Sequence, residues 1–288
     1  MSPTPHSAPA VVGVIGGGRM GAGIAQSFAV AGSSVTVVES GETASAAAYD
    51  RVATGLKRAA ERGLLSEPAE QILARVAMAD SVGQLPADAD LVVEAVPEDA
   101  GLKARVLTAA ERAVGATTVL ATNTSSLSVT ELAAALTRPG RFLGMHFFNP
   151  VPASALVEIV VAPSTEPAAV TAALDWTHAL GKKDVTVKDS PGFASSRLGL
   201  ALGLEAIRMV EEGVAEPAAI DDAMSLGYKH PMGPLRLTDL VGLDVRLAIA
   251  EYLHSTLGER FAPPQLLRDK VARGELGRKT GQGFYTWE

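Results

Sequence analysis

The sequence contains no cysteine, which excludes disulfide bonds and thiolate catalysis and gives no sign of an oxidising compartment. It has no excess of basic charge either, since 25 lysines and arginines stand against 32 acidic residues and give a formal net charge of -7. Without a basic stripe for phosphates, a nucleic-acid-binding protein is not expected. The strongly apolar helical segment 196–212 contains Arg197, Glu205 and Arg208. These charges exclude it as a membrane span.

The first ten residues, MSPTPHSAPA, have neither the basic start nor the apolar run of a signal peptide. We therefore expect a flexible tail over 1–10 and a cytoplasmic protein. At 288 residues, with 47% hydrophobic and 20% charged residues, the chain is expected to form two globular domains. The segment DSPGF marks the boundary between a domain over 11–189 and one over 190–288.

The stretch 11–39 predicts a dinucleotide-binding βαβ unit. It begins with a short β-branched run that is typical of a strand buried on both faces. Gly16, Gly18 and Gly21 follow as G-x-G-x-x-G, where this strand turns into a helix. In such a site one glycine makes the tight turn, one lets the backbone approach the pyrophosphate, and one lets helix and strand pack closely.

Glu39 ends the second β-branched run of this unit. An acid at that place can hydrogen-bond the adenosine ribose hydroxyls, and its charge would repel a 2′-phosphate. The predicted cofactor is therefore NAD rather than NADP. The alternative is a plain structural βαβ unit in which Glu39 is a surface residue.

Two later strand ends carry further candidates, because ligands bind where the strands of an open α/β sheet end. Glu98 and Lys103 follow the predicted strand 91–94, where they either line the cofactor cleft or are helix-surface charges. Ser125, in TNTSS after the predicted strand 118–121, is a ligand candidate.

His146 and Glu158 predict an acid/base pair. His146 lies in the predicted strand 141–148, and Glu158 is the one acid in the apolar strand 155–161. A carboxylate in a buried strand is costly without a partner, and the short connection can fold these two strands antiparallel so that their side chains meet. Oxidation of a secondary alcohol by NAD needs such a base for the hydroxyl proton. The other four histidines are interpreted as surface or structural residues without a comparable partner.

From Ala194 onward the sequence predicts helices only, at 196–212, 217–226, 234–257 and 263–273. The first is apolar over most of its circumference, so it must be buried within its domain or between subunits. A helical domain of this size with that surface exposed would be marginal alone. We therefore expect a homodimer.

The motifs GGGRMG, EAVPE, TNTSS, HFFNP with VEIV, DSPGF, HPMGPLRLTDLVGLD and GRKTGQGFY occur in this order. Together they resemble the L-3-hydroxyacyl-CoA dehydrogenase family, in particular its 3-hydroxybutyryl-CoA dehydrogenase group. The resemblance runs from Val11 to Trp287. It implies the fold class α/β, with a Rossmann-like N-terminal domain and an all-helical C-terminal domain that dimerises.

Carried over to this chain, the resemblance implies that His146 is the catalytic base, Glu158 its orienting partner and Ser125 a substrate contact. It also implies that the helical segment after Glu39, from Glu42 to about Arg75, contacts coenzyme A, with Lys57 and Arg58 as candidates to face its phosphates. The expected NAD-contacting residues are Gly16, Gly18, Met20, Gly21, Glu39, Glu98, Lys103, Asn149 and Lys279.

The sequence departs from the family at Ser196. The family has an asparagine before the arginine of PGFxxNR, which contacts the substrate, whereas this chain has PGFASSR. Serine offers one hydroxyl donor instead of a planar amide, and losing an oxyanion contact costs up to about 3 kcal/mol. This departure leaves the preferred acyl chain length open. The alternative substrates are a 3-hydroxyadipyl-CoA, a hydroxyacyl-carrier-protein thioester or a sugar acid. A non-catalytic NAD-binding protein is the remaining alternative.

Overall fold

The computed structural model describes residues 6–288, which divide into two compact units, one ending at Asp189 and the other Ser190–Glu288. The first unit combines a sheet with helices and the second is helical. The predicted fold class is confirmed. Within the described residues no helix is both long and apolar enough to cross a membrane.

The first unit is built on one eight-stranded sheet. Its strands are Val11–Ile15 (β1), Ser34–Val38 (β2), Val76–Ala79 (β3), Leu91–Glu94 (β4), Val119–Thr122 (β5), Phe142–Phe147 (β6), Leu156–Val161 (β7) and Lys183–Lys188 (β8). They lie in the order β3-β2-β1-β4-β5-β6-β7-β8. The first six are parallel, β7 is antiparallel to β6, and β8 is parallel to β7.

This order places a topological switch point between β1 and β4, because the chain leaves β1 toward β2 on one side and later returns to β4 on the other. Ligands bind in the crevice at the carboxyl ends of strands beside such a point. The loops that carry the predicted motifs follow β1, β4, β5 and β6. The strand order therefore brings these motifs to one edge of the sheet.

The helices account for the rest of the fold. They are Arg19–Val30 (α1), Glu42–Glu61 (α2), Ala69–Leu73 (α3), Ala100–Ala113 (α4), Val129–Ala133 (α5), Pro167–Ala179 (α6), Ser195–Glu211 (α7), Pro217–Asp222 (α8), Pro234–Val241 (α9), Leu243–Leu257 (α10) and Gln265–Ala272 (α11). The first six belong to the sheet unit and the other five to the helical unit.

The core of the first unit explains why 11–39 forms a strand, a helix and a second strand. Val12 and Val14 of β1 and Val35 and Val37 of β2 are fully buried, as expected of parallel strands covered on both faces. Helix α1 contributes the fully buried Phe28 to the same cluster. Burying a side chain of this kind contributes about 2–3 kcal/mol each.

The helical unit differs from the prediction at one place. The predicted single helix over 234–257 is wrong, because α9 ends before Gly242 and α10 begins after it. Gly242 has φ +106°, a left-handed conformation that side chains other than glycine rarely adopt and that an α-helix cannot contain. The predicted helix 217–226 also divides, since α8 continues from Ala223 to Gly227 as a π-helical turn.

Residues 6–10 of the predicted flexible tail contact the first unit, while residues 1–5 lie outside the described residues. The Ser33 hydroxyl donates to the carbonyl oxygen of Pro9 at 2.6 Å, and Pro9 is buried. His6 Nδ1 lies 3.0 Å from Asp175 Oδ1 on α6. The segment from His6 onward is thus held to the sheet unit at His6, at Pro9 and at Ala10, whose carbonyl oxygen accepts a hydrogen bond from Ser34 N–H at 2.9 Å.

The C-terminal motif GRKTGQGFY packs on Asp239 in the helical unit. The carboxylate of Asp239, only 1% exposed, accepts hydrogen bonds from the backbone N–H groups of Phe284 and Tyr285 and from Trp287 Nε1, at 2.8–2.9 Å. A Cβ at Gly283 would lie 2.3 Å from Asp239 Oδ1, so only glycine fits there. Buried charges are tolerated when they are hydrogen-bonded in this way.

Asp239→Ala is expected to lower the free energy of unfolding by about 3 kcal/mol, because three half-buried hydrogen-bond donors lose a charged acceptor. Chemical denaturation measures this change. The matched control is Glu251→Ala, which removes an exposed ion pair with Arg268 and should cost less than about 1 kcal/mol. Equal effects of the two substitutions would contradict the structural role given to Asp239.

Candidate active site

The glycine turn after β1 has the geometry of a phosphate-binding turn. Gly16 has φ +98°, and a Cβ there would lie 2.8 Å from the carbonyl oxygen of Ala95. A Cβ at Gly21 would lie 1.7 Å from the carbonyl oxygen of Gly16, so helix and strand could not pack as they do. A Cβ at Gly18 would meet nothing within 4 Å. Gly18 therefore faces open space where a ligand can approach the backbone.

Helix α1 starts directly after Gly18 and fits a dinucleotide pyrophosphate. Its N-terminus has no side-chain cap and no acidic residue in the first turn. Its first backbone N–H groups and the positive end of the helix dipole are therefore available to phosphate oxygens. Met20 is half-buried in the same first turn.

Glu39 follows β2 and is fixed beside the glycine turn. Its Oε2 accepts a hydrogen bond from the backbone N–H of Gly17 at 2.6 Å, and its Oε1 accepts one from Ser40 N–H at 3.1 Å. Gly17 was not singled out by the G-x-G-x-x-G spacing. A Cβ at Gly17 would lie 2.3 Å from the Cβ of Ala48 on α2, so this position also requires glycine. The turn thus carries an acid, as a site selective for NAD does.

A buried ion pair lies behind the loops after β4 and β5. Lys103 Nζ lies 2.8 and 3.0 Å from the two carboxylate oxygens of Glu94, and neither side chain has exposed area. The Thr122 hydroxyl donates to Glu94 at 2.6 Å. Burial raises the pKa of Glu94 although the charge of Lys103 opposes this shift. Lys103 also donates to the carbonyl oxygens of Val96 and Asn123, so it ties the two loops together.

Sequence reasoning treated Glu94 only as a strand end and missed this pair. Its signal is an acid as the last residue of an otherwise apolar strand, with a lysine in the helix that follows. The predicted contact of Lys103 with the cofactor stays a prediction, since its ammonium is committed to Glu94 and two carbonyl oxygens.

Glu98 connects the same two loops at the surface. Its Oε1 accepts hydrogen bonds from the Thr124 hydroxyl at 2.5 Å, from Ser125 N–H at 3.0 Å and from the Ser125 hydroxyl at 3.3 Å. Its Oε2 lies 3.5 Å from Lys103 Nζ. Glu98 therefore fixes the position of Ser125, and Lys103 fixes Glu98.

His146 and Glu158 form the predicted pair. The strands β6 and β7 are antiparallel and place the two residues directly opposite each other. His146 Nδ1 lies 2.7 Å from Glu158 Oε2; His146 is 7% exposed and Glu158 has no exposed area. With Nδ1–H donating to the carboxylate, Nε2 is the imidazole nitrogen that can exchange a proton with a substrate. The ring of Phe148 packs 4.3 Å from the imidazole.

Asn123 joins this pair to the Ser125 loop. Its side-chain oxygen accepts a hydrogen bond from the backbone N–H of Phe147 at 2.9 Å. The end of β6, which carries His146, is thereby fixed to the segment that carries Ser125. Sequence reasoning did not identify Asn123, because nothing in TNTSS distinguishes a structural amide from a ligand.

A groove of about 600 Å³ lies beside the glycine turn, and we call it the arginine groove. Its basic and loop residues are Arg19, Arg51, Arg58, Arg62 and 149–153. The guanidinium of Arg51 also donates to the carbonyl oxygen of Gly17 at 3.2 Å. Of the two residues expected to face the coenzyme A phosphates, Arg58 lines the arginine groove and Lys57 does not.

The structure divides the predicted site residues between the two units. Ser196 and Lys279 belong to the helical unit. Ser196 is the second residue of α7, and Lys279 Nζ lies 2.5 and 2.6 Å from the carboxylate oxygens of Asp244. Their roles stay predictions. The other residues lie in the sheet unit: Gly16, Gly18, Met20, Gly21, Glu39, Glu98, Lys103, Ser125, His146, Asn149 and Glu158.

Three of the other four histidines, interpreted as surface or structural residues, have a carboxylate neighbour that the sequence did not indicate. Two of these partners are close in sequence but follow the end of a helix, and the third is 169 positions away, so no short motif indicates them. Each histidine is more than a third exposed or nearly so, unlike His146. The pairs are His6 with Asp175 at 3.0 Å, His178 with Asp184 at 2.8 Å and His254 with Glu259 at 3.0 Å.

Comparison with known proteins agrees with this geometry. Residues 11–190 match the family model of the 3-hydroxyacyl-CoA dehydrogenase NAD binding domain, and residues 192–287 match that of the C-terminal domain. The chain is 42% identical over 277 residues to a probable 3-hydroxybutyryl-CoA dehydrogenase of Bacillus subtilis, covering 96% of each chain. It is 42% identical over 280 residues to the 3-hydroxybutyryl-CoA dehydrogenase of Mycobacterium tuberculosis, covering 96% of this chain and 98% of that one.

A solved structure, the (S)-3-hydroxybutyryl-CoA dehydrogenase of Ralstonia eutropha, matches with a TM-score of 0.92 at 41% identity. The match covers 98% of this chain and 100% of that one. These findings confirm the predicted cofactor, NAD, and the predicted activity, the NAD-dependent oxidation of a 3-hydroxyacyl-CoA. The chain belongs to the 3-hydroxyacyl-CoA dehydrogenase family.

Proposed function

We propose that His146 is the general base of the reaction and that Glu158 orients it. The observation that carries this proposal is the 2.7 Å hydrogen bond between two side chains that are almost fully buried. The carboxylate fixes the imidazole tautomer with the proton on Nδ1 and stabilises the imidazolium that forms when Nε2 takes the hydroxyl proton. General base catalysis of this kind contributes about 10²–10⁴-fold.

NAD, when bound, would supply the acceptor for the hydride of the carbinol carbon. In this proposal Gly16, Gly18 and Gly21 hold its pyrophosphate at the turn, and Glu39 accepts hydrogen bonds from its ribose hydroxyls. In the reverse direction His146 returns the proton to the carbonyl oxygen. The same two side chains therefore serve oxidation and reduction.

We assign Ser125 and Ser196 to holding the substrate oxygen. The assignment of Ser125 is supported by its contacts with Glu98. The backbone N–H and the hydroxyl of Ser125 both donate to Glu98, which lies in the loop after β4. In this assignment the Ser125 hydroxyl exchanges its bond to Glu98 for one to the substrate. Ser196 rests on the resemblance of PGFASSR to the family motif.

The proposed substrate is an acyl-coenzyme A, with 3-hydroxybutyryl-CoA as the first choice. The acyl length follows the names of the relatives from Bacillus subtilis and Mycobacterium tuberculosis. The arginine groove supports the coenzyme A part, because four guanidinium groups suit its phosphates. Two of the residues that line the groove are sequence neighbours of the site: Arg19 follows Gly18, and Asn149 lies three positions after His146.

We further propose a homodimer formed through the helical unit. Its support is large apolar side chains exposed there, with Leu198 at 70%, Leu226 at 78% and Tyr228 at 76%. Large apolar side chains left exposed are candidates for an interaction surface. Of the two places where α7 could be buried, within its domain or between subunits, the exposure of Leu198 favours the second. The cytoplasmic location stays a prediction.

His146→Gln should lower kcat for NADH oxidation with acetoacetyl-CoA by about 1000-fold, because glutamine cannot donate the proton as an imidazolium does. NADH affinity, measured by fluorescence titration, should stay within about twofold of wild type, since the turn that binds the dinucleotide is unchanged. Wild-type turnover in the variant would contradict the proton-transfer role.

Arg58→Glu should raise KM for acetoacetyl-CoA by about tenfold, because the substitution replaces an attractive charge in the arginine groove by a repulsive one. KM for NADH should stay unchanged. The matched control is Lys57→Glu, the same change of charge at a neighbouring exposed residue outside the groove. An equal rise of KM in both variants would mean that general charge, not the groove, attracts the substrate.

A further inference from the structure

The sheet unit carries a cluster of metal-ligating side chains that the dehydrogenase reaction does not use. Within residues 6–288 one group of three such residues meets, formed by His6, Asp175 and His178. Each offers one ligand atom, and these atoms all lie within 4.8 Å of one another. His6 Nδ1 and Asp175 Oδ1 are 3.0 Å apart, and the two imidazole rings meet edge to face with centroids 4.7 Å apart.

The local structure explains how these residues meet. Asp175 and His178 are three positions apart on α6, so they lie on the same face of the helix. Both lie near its C-terminal end, where the helix dipole favours a cation. His6 reaches this face from the N-terminal segment, whose position is fixed where Pro9 accepts a hydrogen bond from Ser33.

Asp184 provides the outer contact that metal-binding histidines usually have. Its Oδ1 lies 2.8 Å from His178 Nε2. With Nε2–H donating to Asp184, the lone pair of His178 is on Nδ1. A carboxylate behind a ligating histidine fixes its tautomer and raises its basicity as a ligand.

We propose that His6, Asp175 and His178 bind one divalent transition-metal ion such as Zn²⁺, with Asp184 orienting His178. Two imidazole nitrogens and one carboxylate oxygen are ligands that Zn²⁺ takes, and a water completes the tetrahedron. Ligands about 2.0–2.1 Å from a tetrahedral ion lie ~3.3 Å apart. His6 and Asp175 already meet this spacing. The side chains are 35–51% exposed, so they can close by rotation.

The ion would cross-link the N-terminal segment to α6. It would join residue 6 to a helix that follows β7, the strand that carries Glu158. Binding energy gained only in the folded state adds to stability. The site therefore serves the fold rather than the chemistry, and its removal should leave turnover unchanged.

The test measures Zn²⁺ binding to the full-length protein by competition with a chromophoric zinc indicator, and Co²⁺ binding by visible absorption. Wild type should bind one ion per chain. His178→Gln and His6→Gln should each weaken Zn²⁺ binding by at least about 100-fold. Asp184→Asn removes only the contact behind His178 and should weaken Zn²⁺ binding by about tenfold. Turnover of acetoacetyl-CoA reports that each variant is folded.

The matched control is His254→Gln. His254 Nε2 lies 3.0 Å from Glu259 Oε1, so it is a surface histidine with a carboxylate partner, and among residues 6–288 it belongs to no group of three metal-ligating side chains. This variant should bind Zn²⁺ as wild type does. The proposal is overturned if wild type does not compete with the indicator, or if His178→Gln and His6→Gln bind as tightly as His254→Gln, which would mean an adventitious ion only.

Discussion

The carboxylate of Glu158 has no exposed surface and is hydrogen-bonded to His146, and the site is arranged around this pair. An unpaired charge at that depth would cost several kcal/mol, so its partner has to be present and close. The antiparallel pairing of β6 and β7 provides His146 at the opposite position. The one reversal of strand direction within the first seven strands thus meets an electrostatic requirement and at the same time brings together the proposed catalytic pair.

A second buried carboxylate, Glu94, has a comparable role one strand pair away. Its ion pair with Lys103 fixes the loops after β4 and β5, and Glu98 extends that arrangement to Ser125. Asn123 then links the Ser125 loop to the end of β6. The positions of Ser125 and His146 are therefore set by a chain of polar contacts rather than by packing alone.

The sequence predicted those parts of the site whose reasons are local. Gly16 and Gly21 are required by sterics at the turn, Gly18 leaves the backbone open to a ligand, and Glu39 follows directly from where β2 ends. The partner of Glu158 could also be predicted, because a buried acid demands one and the adjacent strand holds a histidine. Non-local contacts were missed: the role of Glu94, the Asn123 amide, and the carboxylates beside His6 and His178. Their partners are set by the fold, and surface or loop residues carry no pattern that reports them.

The break at Gly242 is a different kind of miss. The apolar periodicity of 234–257 continues across the glycine, and periodicity does not report φ. Only the backbone conformation, φ +106°, separates α9 from α10. A glycine within an apparently continuous helical pattern is therefore a candidate boundary.

The central claim is that a buried carboxylate makes His146 an effective base. The most direct test is kcat for NADH oxidation with acetoacetyl-CoA in Glu158→Gln, which keeps the size and the acceptor oxygen but removes the charge. We expect kcat to fall by about 100-fold or more while NADH affinity stays within about twofold of wild type. A kcat within about threefold of wild type would contradict the claim.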